Sequence, residues 1–166
     1  MRLHFKQRLF SWFDSYDIYD DEDRTVFTVQ GKLAWGHKLV IYDAGGEEIG
    51  LVQQELLTLL PKFSLHERGQ QLGTIKRELT LFKPSYHIDF NGWRVEGNWM
   101  EWDYSIFDGN GKIVATISKD LWHLTDQYFI DVERKEDALH ALMVVLAIDA
   151  EKCSKSGSVI DVVTEI

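Results

Sequence analysis

Apolar and polar residues alternate along much of the chain as far as Val132, as they do in strands that bury one face. The alternation is clearest at Tyr86, Ile88 and Phe90 and at Tyr128, Ile130 and Val132. Turn signals separate the runs, and Asn91-Gly92 favours a two-residue hairpin because both turn positions need a positive φ. We predict about twelve strands, at residues 3–10, 16–20, 25–31, 38–43, 48–56, 62–67, 71–79, 85–90, 93–99, 103–108, 113–119 and 127–133.

The run from Ala138 to Ile148 is apolar except for His140, which predicts a helix buried on every side. A helix that spans a bilayer needs about 20 apolar residues, and this run is too short. Charged residues close it at both ends, namely Glu136, Asp137, Asp149, Glu151 and Lys152. We therefore predict a core helix from Asp137 to about Lys152, enclosed by protein and not by lipid.

The chain contains an internal repeat. Residues 42–65 align without gaps to residues 107–130, and each copy opens on a turn rich in Asp, Asn and Gly. A seven-residue pattern recurs at 46–52, 69–75 and 111–117: Gly, any two residues, a hydrophobic residue, a small residue, any one residue and a second hydrophobic residue. We predict one domain over residues 1–152, with halves of about 1–80 and 81–152, followed by a C-terminal tail of residues 153–166.

These elements predict a protein that is mainly β with one central helix. Strands that pack around one helix lie ~10 to 12 Å from the helix axis. Strands spaced ~4.8 Å apart and tilted ~40° each occupy ~6.3 Å of the circumference at that radius, so roughly ten to twelve strands enclose one helix. The number of strands read from the turns matches this requirement. The predicted fold is a closed antiparallel barrel of about twelve strands, built from two repeated halves around the C-terminal helix.

Composition restricts the ligands and the cellular compartment that we expect for this protein. The net charge of -9 disfavours nucleic acid and anionic surfaces unless a local basic patch overrides it. The single cysteine excludes an intramolecular disulfide, and the N-terminus has no uninterrupted apolar run of signal-peptide length. We expect a cytoplasmic protein, with possible peripheral contact to a membrane.

The duplicated halves, the recurring glycine motif and the segment D-A-L-x-A-L-x-x-x-L-A-I-D at 137–149 together resemble the LURP-one-related family. That family is similar in fold to the Tubby C-terminal domain and to phospholipid scramblases. The resemblance covers essentially the whole chain and implies a twelve-stranded barrel around a central hydrophobic helix. It also implies candidate functions, because Tubby domains bind phosphoinositide headgroups through lysine and arginine, and scramblases move or bind phospholipids.

Our leading hypothesis is a non-enzymatic binding module that docks on an anionic phospholipid surface or on a protein partner. A small-molecule enzyme or carrier with a site at a barrel mouth near His140 is the alternative, and a nucleic-acid-binding regulator is the one that the net charge disfavours. Two basic clusters are candidate phosphate ligands. They consist of Arg2, Lys6 and Arg8 and of Lys76, Arg77 and Lys83. Ordinary solvated strand faces beside an apolar interior are the simpler interpretation of both, since binding to an anionic surface usually takes clusters of about 4 to 8 basic residues.

Other candidate chemistry is weaker. The acidic run from Asp17 to Asp23 offers carboxylates to a cation but lacks the glycine and glutamate of a calcium loop, which favours a solvated hairpin tip. His140 fits a hydrogen-bonded structural histidine better than a catalyst, and Cys153 has only lysines nearby to activate it. Trp93, Trp99 and Trp102 fit barrel core better than a ligand platform. We predict no catalytic residue, metal or cofactor, because no established motif for any of them occurs.

Overall fold

The computed structural model describes residues 1–5, 15–32, 34–78, 85–120 and 127–163, with the backbone alone described for residues 153–163. The described residues form twelve strands and one α-helix. The strands are β1 (Arg2–Phe5), β2 (Ser15–Tyr19), β3 (Thr25–Gly31), β4 (Lys38–Asp43), β5 (Glu48–Gln54), β6 (Lys62–Glu67), β7 (Gln70–Glu78), β8 (Ser85–Ile88), β9 (Arg94–Asn98), β10 (Asp103–Phe107), β11 (Ile113–Asp120) and β12 (Gln127–Val132). Short 3-10 turns lie at Trp99–Glu101 and Lys135–Asp137, and helix α1 spans Ala138–Val163.

The twelve strands of the described chain close into an antiparallel barrel in which sequence neighbours pair, and β1 completes the ring by pairing with β12. Leu3 lies opposite Ile130 across that seam, and both side chains are fully buried. Asn91 and Gly92 have φ values of 59° and 63°, which confirms the hairpin turn predicted there. The prediction of a closed barrel of about twelve strands around one helix is confirmed.

The meander gives the barrel two different ends. We call one the turn end, because it carries the short connections after β2, β4, β6, β8 and β10 and the start of α1. We call the other the loop end, and it carries the connections after β3, β5 and β9. Helix α1 runs from the turn end to the loop end. His140 contacts Glu67 at the turn end, and Lys152 Nζ donates to the Trp99 carbonyl, 2.9 Å away, at the loop end.

Helix α1 is the core of the barrel. Every residue from Ala141 to Glu151 is buried, and Leu142 and Leu146 have no solvent exposure. Apolar side chains that alternate along the strands point inward and cover the helix on all sides, as the apolar run predicted. Trp93, Trp99 and Trp102 belong to this core, which confirms the packing role predicted for them.

The predicted end of the helix near Lys152 is wrong, because α1 continues to Val163 through much of the predicted tail. The sequence predicts that Asp149, Glu151 and Lys152 form the solvated end of the helix. Instead Asp149 and Glu151 are buried, and the following residues contain no proline to stop the helix. The charged residues therefore do not mark the end of the helix.

The two halves repeat in hydrogen-bond detail. A β-bulge lies between Ile41 and Tyr42 where β4 meets β5, and its counterpart lies between Ile106 and Phe107 where β10 meets β11. In the first of the following turns Asp43 Oδ1 accepts from two backbone N–H groups at 2.8 and 3.0 Å, and Asp108 Oδ1 accepts from two at 2.9 Å in the second. The alignment of 42–65 with 107–130 thus describes a structural duplication.

The small residue of the recurring motif lies where the surroundings leave little room for a larger side chain. A Cβ added at Gly50 of β5 would lie 2.6 Å from Met143 Cε and 3.1 Å from Ile41 Cδ1. Its counterpart in β11, Ala115, is fully buried. At the third copy, a Cβ on Gly73 would collide with the Asp89 carboxylate and not with the helix. The motif therefore requires a small residue for different reasons in different copies, namely the helix side chain Met143 at Gly50 and the Asp89 carboxylate at Gly73.

Candidate functional site

A groove of about 390 Å³ lies at the loop end, between the β5–β6 connection and strand β7. We call it the cationic groove. It is lined by Thr58, Leu59, Leu60, Lys62, Lys76, Arg77 and Glu78. Two of the predicted phosphate ligands, Lys76 and Arg77, are therefore brought together with a third cation, Lys62, that the sequence did not single out.

Strand register places two of these cations side by side. Lys62 of β6 pairs directly with Lys76 of β7, and their inward neighbours Phe63 and Ile75 are buried, so both lysines project from the outer face. Side chains opposite one another on antiparallel strands have Cβ atoms about 5 Å apart, and like charges in such pairs are destabilising. Lys62 is partly neutralised by Glu55 at 2.9 Å, whereas Lys76 is exposed and makes no ion pair with a described residue.

Arg77 joins the groove to the interior. Its Nη1 donates to Oε1 of Glu151 at 3.2 Å, and the Tyr86 hydroxyl donates to the other carboxylate oxygen at 2.6 Å. The Glu151 side chain is 1% exposed and that of Arg77 is 28% exposed, so the arginine reaches from the groove to a buried anion. Burial, and then the negative charge of Glu151, raises the pKa of Tyr86 well above its usual range, which keeps this hydroxyl a donor.

Charge is distributed unevenly between the two ends of the barrel. The hairpin turns of the turn end carry most of the acidic excess, including Asp20 to Asp23, Asp43, Glu47, Asp89 and Asp108. Around the groove and the neighbouring β3–β4 connection, the described residues include five cations, Lys32, Lys38, Lys62, Lys76 and Arg77, against three acids, Glu55, Glu78 and the buried Glu151. The net charge of -9 therefore does not describe the loop end, and this is the local basic patch that the sequence left open.

Arg2 lies at the opposite end from Lys76 and Arg77. Its guanidinium forms a bidentate pair with Asp131, at 2.7 and 3.1 Å, and its backbone N–H donates to Asp21 at 3.2 Å. The hydrogen bonds to Asp131 raise the pKa of Arg2 above its usual high value, so the guanidinium stays charged. The guanidinium is therefore already paired with a carboxylate in acidic surroundings. The other three predicted ligands, Lys6, Arg8 and Lys83, lie outside the described residues.

The acidic run forms the β2–β3 hairpin, as its flanking strands predicted. Asp20 Oδ1 accepts from the backbone N–H groups of Glu22 and Arg24, and its Oδ2 accepts from the Arg24 guanidinium at 2.7 and 2.9 Å. The Arg24 hydrogen bonds lower the pKa of Asp20 to about 2. Asp20 is thus a structural residue of the turn, and no group of three or more His, Cys, Asp or Glu side chains in the described segments is placed to hold a metal ion.

His140, the polar residue of the apolar run, has the hydrogen-bonded setting predicted for a structural histidine. Its Nε2 lies 2.9 Å from Glu67 Oε2, and its ring packs edge-on against Phe90 with centroids 5.4 Å apart. Trp93 covers it from a second side at 6.3 Å. This pair belongs to the turn end and is separated from the cationic groove by the length of the barrel. The Cys153 side chain lies outside the described residues.

Sequence reasoning missed two parts of the loop end. Lys62 was overlooked because it becomes a neighbour of Lys76 only through the β6–β7 register. The leucines of the β5–β6 connection were overlooked because apolar residues were assigned to the core, and Leu56 was placed inside a strand. A leucine-rich segment between two strands, ELLTLLP at 55–61, is the signal that could have identified an exposed apolar connection.

Comparison with known proteins agrees with this architecture. A family model described as LURP-one-related matches residues 1–149. The chain is 25% identical over 150 residues to uncharacterised protein YxjI of Bacillus subtilis strain 168, an alignment that covers 90% of this chain and 92% of that protein. The X-ray structure of an Arabidopsis thaliana protein superposes with a TM-score of 0.63 at 18% identity, covering 90% of this chain and 91% of that one. This last likeness shows a shared fold.

Proposed function

This chain belongs to the LURP-one-related family, and we propose that it is a binding module that docks on anionic phospholipid surfaces through the cationic groove. The observation that carries the proposal is the placement of Lys62, Lys76 and Arg77 around one groove at the end of the barrel with the fewest acids. A phosphate accepts hydrogen bonds from ammonium and guanidinium groups together, so its oxygens match this set of donors.

The lysine pair supports an anionic ligand on energetic grounds. Lys62 and Lys76 repel one another across the strands, and a phosphate that contacts both replaces that repulsion with two attractions. Arg77 is held from behind by Glu151, so its remaining N–H groups can bind a headgroup without a search of many rotamers. The resemblance to Tubby domains and scramblases supports the same ligand class.

The charge asymmetry supports a single orientation. An anionic membrane attracts the loop end and repels the acidic turn end, so the barrel approaches with the groove facing the surface. No helix in the described part of the chain is long and apolar enough to cross a bilayer. The proposed contact is made through the groove and its rim.

Flotation with phosphatidylcholine vesicles, with and without phosphatidylserine, tests the proposal over a range of salt concentrations. We expect stronger binding to the vesicles that contain phosphatidylserine, and weaker binding as salt rises. Each unit of charge near such a surface contributes about 1 kcal/mol, and Lys76→Glu changes the charge by two units, so it should lower the apparent affinity roughly 30-fold.

Lys112→Glu is the matched control, because it makes the same charge change in the exposed β10–β11 turn at the turn end. We expect it to bind nearly as well as the wild type. Equal losses in the two variants would mean that total charge and not the groove governs binding. No binding of the wild type at low salt would refute the proposal.

A further inference from the structure

The β5–β6 connection, residues 55–61, presents leucines to solvent, and we call it the leucine loop. Leu57 and Leu59 are fully exposed, at 106% and 105%, and Leu56 is 53% exposed. Exposed single apolar residues are common on protein surfaces, but here three lie within four positions of one connection, and we call them the apolar patch. Such a patch costs solubility and contributes nothing to the core.

The backbone of the leucine loop carries a second cost. Leu57 has a φ of 62°, in the left-handed region that glycine and asparagine adopt readily and that leucine rarely adopts. The conformation aims a fully exposed side chain outward, so no packing within the described barrel compensates for it. An unfavourable backbone maintained at an exposed apolar side chain points to a role outside the fold.

The loop is nevertheless built into the barrel at its base. Glu55 N donates to the Lys62 carbonyl at 2.9 Å, and Arg77 N donates to the Pro61 carbonyl at 3.1 Å. These two bonds attach the loop to both strands that border the cationic groove, and Leu59 itself lines the groove. The apolar patch and the groove are therefore parts of one surface with a fixed relative position.

Trp35 extends the patch across the neighbouring β3–β4 connection and is 89% exposed. The two connections are in contact, since a Cβ added at Gly36 would lie 3.1 Å from Leu56 Cδ2. Gln54 N also donates to the His37 carbonyl at 2.7 Å. Tryptophan favours the interface between lipid headgroups and acyl chains, where its ring is apolar and its N–H remains hydrated.

The charges beside the patch select its occupant. Lys32 and Lys38 flank the connection that carries Trp35, and Lys62, Lys76 and Arg77 lie behind Leu59. An apolar surface flanked by cations complements an anionic bilayer, where acyl chains lie beneath negative headgroups. Stable peripheral attachment takes two signals, one apolar and one electrostatic, and this end of the barrel provides both.

We propose that Trp35, Leu57 and Leu59 insert into the boundary between headgroups and acyl chains, so that the barrel stands on the membrane on its loop end. This inference rests on the proposed lipid binding and adds an apolar contact that the cationic groove does not require. It predicts that part of the binding survives high salt, because burial of apolar side chains in the bilayer is not screened by ions.

Leu57→Gly separates insertion from folding. Glycine adopts the φ of 62° without strain, so the variant should be at least as stable as the wild type to urea. It removes one inserted side chain, and we expect affinity for vesicles containing phosphatidylserine to fall roughly tenfold. The matched control is Ile113→Ser at the turn end, where the side chain is 41% exposed, and we expect no loss there.

Quenching by phospholipids brominated on the acyl chain tests the depth of Trp35. We expect the bound wild type to be quenched more than the Trp35→Phe variant, since the difference reports that one ring. Unchanged vesicle binding by Leu57→Gly, or equal quenching of the two proteins, would overturn insertion while a loss in Lys76→Glu still supported the groove. Absence of wild-type binding to any vesicle would overturn both the lipid binding by the groove and the insertion of the leucine loop. The exposed apolar residues would then be a surface for a protein partner.

Discussion

Arg77 Nη1 lies 3.2 Å from Glu151 Oε1, so the rim of the cationic groove is tied directly to the helix that fills the barrel. The contact joins residues 74 positions apart in sequence. It makes Arg77 a structural residue as well as a candidate ligand. For that reason Lys76, which has no ion-pair partner among the described residues, is the better position for testing the groove.

Loss of this ion pair should destabilise the fold. In Arg77→Met, Glu151 keeps the hydrogen bond from the Tyr86 hydroxyl but loses the positive charge of Arg77 inside the barrel. We expect the free energy of unfolding, measured in urea, to fall by about 3 kcal/mol. Arg94→Met is the control, because Arg94 pairs with Glu96 where both side chains are about half exposed, and its loss should cost under about 1 kcal/mol. Similar costs in the two variants would show that burial of Glu151 does not depend on Arg77.

The fit of strand β5 against the helix gives a second prediction. Gly50→Ala should destabilise the protein by about 1 kcal/mol, because the new methyl group would lie 2.6 Å from Met143 Cε inside a filled core. In a Met143→Ala background the same substitution should cost less, since the obstructing side chain is gone. Urea unfolding of the four proteins in this cycle measures the coupling.

Gly109→Ala controls for the general effect of adding a methyl group. Its Cβ would meet only the Gly92 carbonyl oxygen, at 3.7 Å, and we expect a change within about 0.5 kcal/mol. Additive costs of Gly50→Ala and Met143→Ala would argue that the contact between β5 and α1 is looser than the structure shows.

The fold was predictable because its signals are local. Alternating apolar residues identify strands, Asn91-Gly92 fixes a hairpin, and the apolar run after Asp137 requires a shell of protein. The end of α1 was not predictable in the same way. Glu151 is charged, and only the tertiary placement of Arg77 and Tyr86 shows that it lies inside the barrel.

The candidate site was only half predictable for a related reason. Lys76 and Arg77 are adjacent in sequence, so their cluster was visible, whereas Lys62 joins them through a strand register that includes an irregularity between Leu65 and His66. Leu57 is a residue type that sequence patterns assign to the core. Its exposure depends on the path of the loop backbone, which no periodicity reports.

Beneath the leucine loop, His37 should make stability sensitive to acid. His37 is 3% exposed, and burial lowers its pKa from 6.5 to about 4, so the folded protein keeps the ring neutral. Below pH 6.5 the unfolded chain binds a proton that the folded chain does not bind. The contribution of this histidine is therefore complete above the unfolded pKa and is lost as the pH falls towards 4, by about 3 kcal/mol in total.

Comparison with His37→Gln isolates this effect from carboxylates such as Asp20, which titrate in both proteins. Urea unfolding near neutral pH and again just above pH 4 measures the two slopes, and we expect the wild type to lose more stability than the variant over that interval. His87→Gln, at a half-exposed position on β8, is the control for the general effect of replacing a histidine by glutamine. Parallel slopes in wild type and His37→Gln would mean that the folded protein accepts a proton on His37 as readily as the unfolded chain. In that case the packing of the β3–β4 connection against Gln54 and Phe63 would have to open in acid, and the surface formed by Trp35 and the leucine loop would open with it.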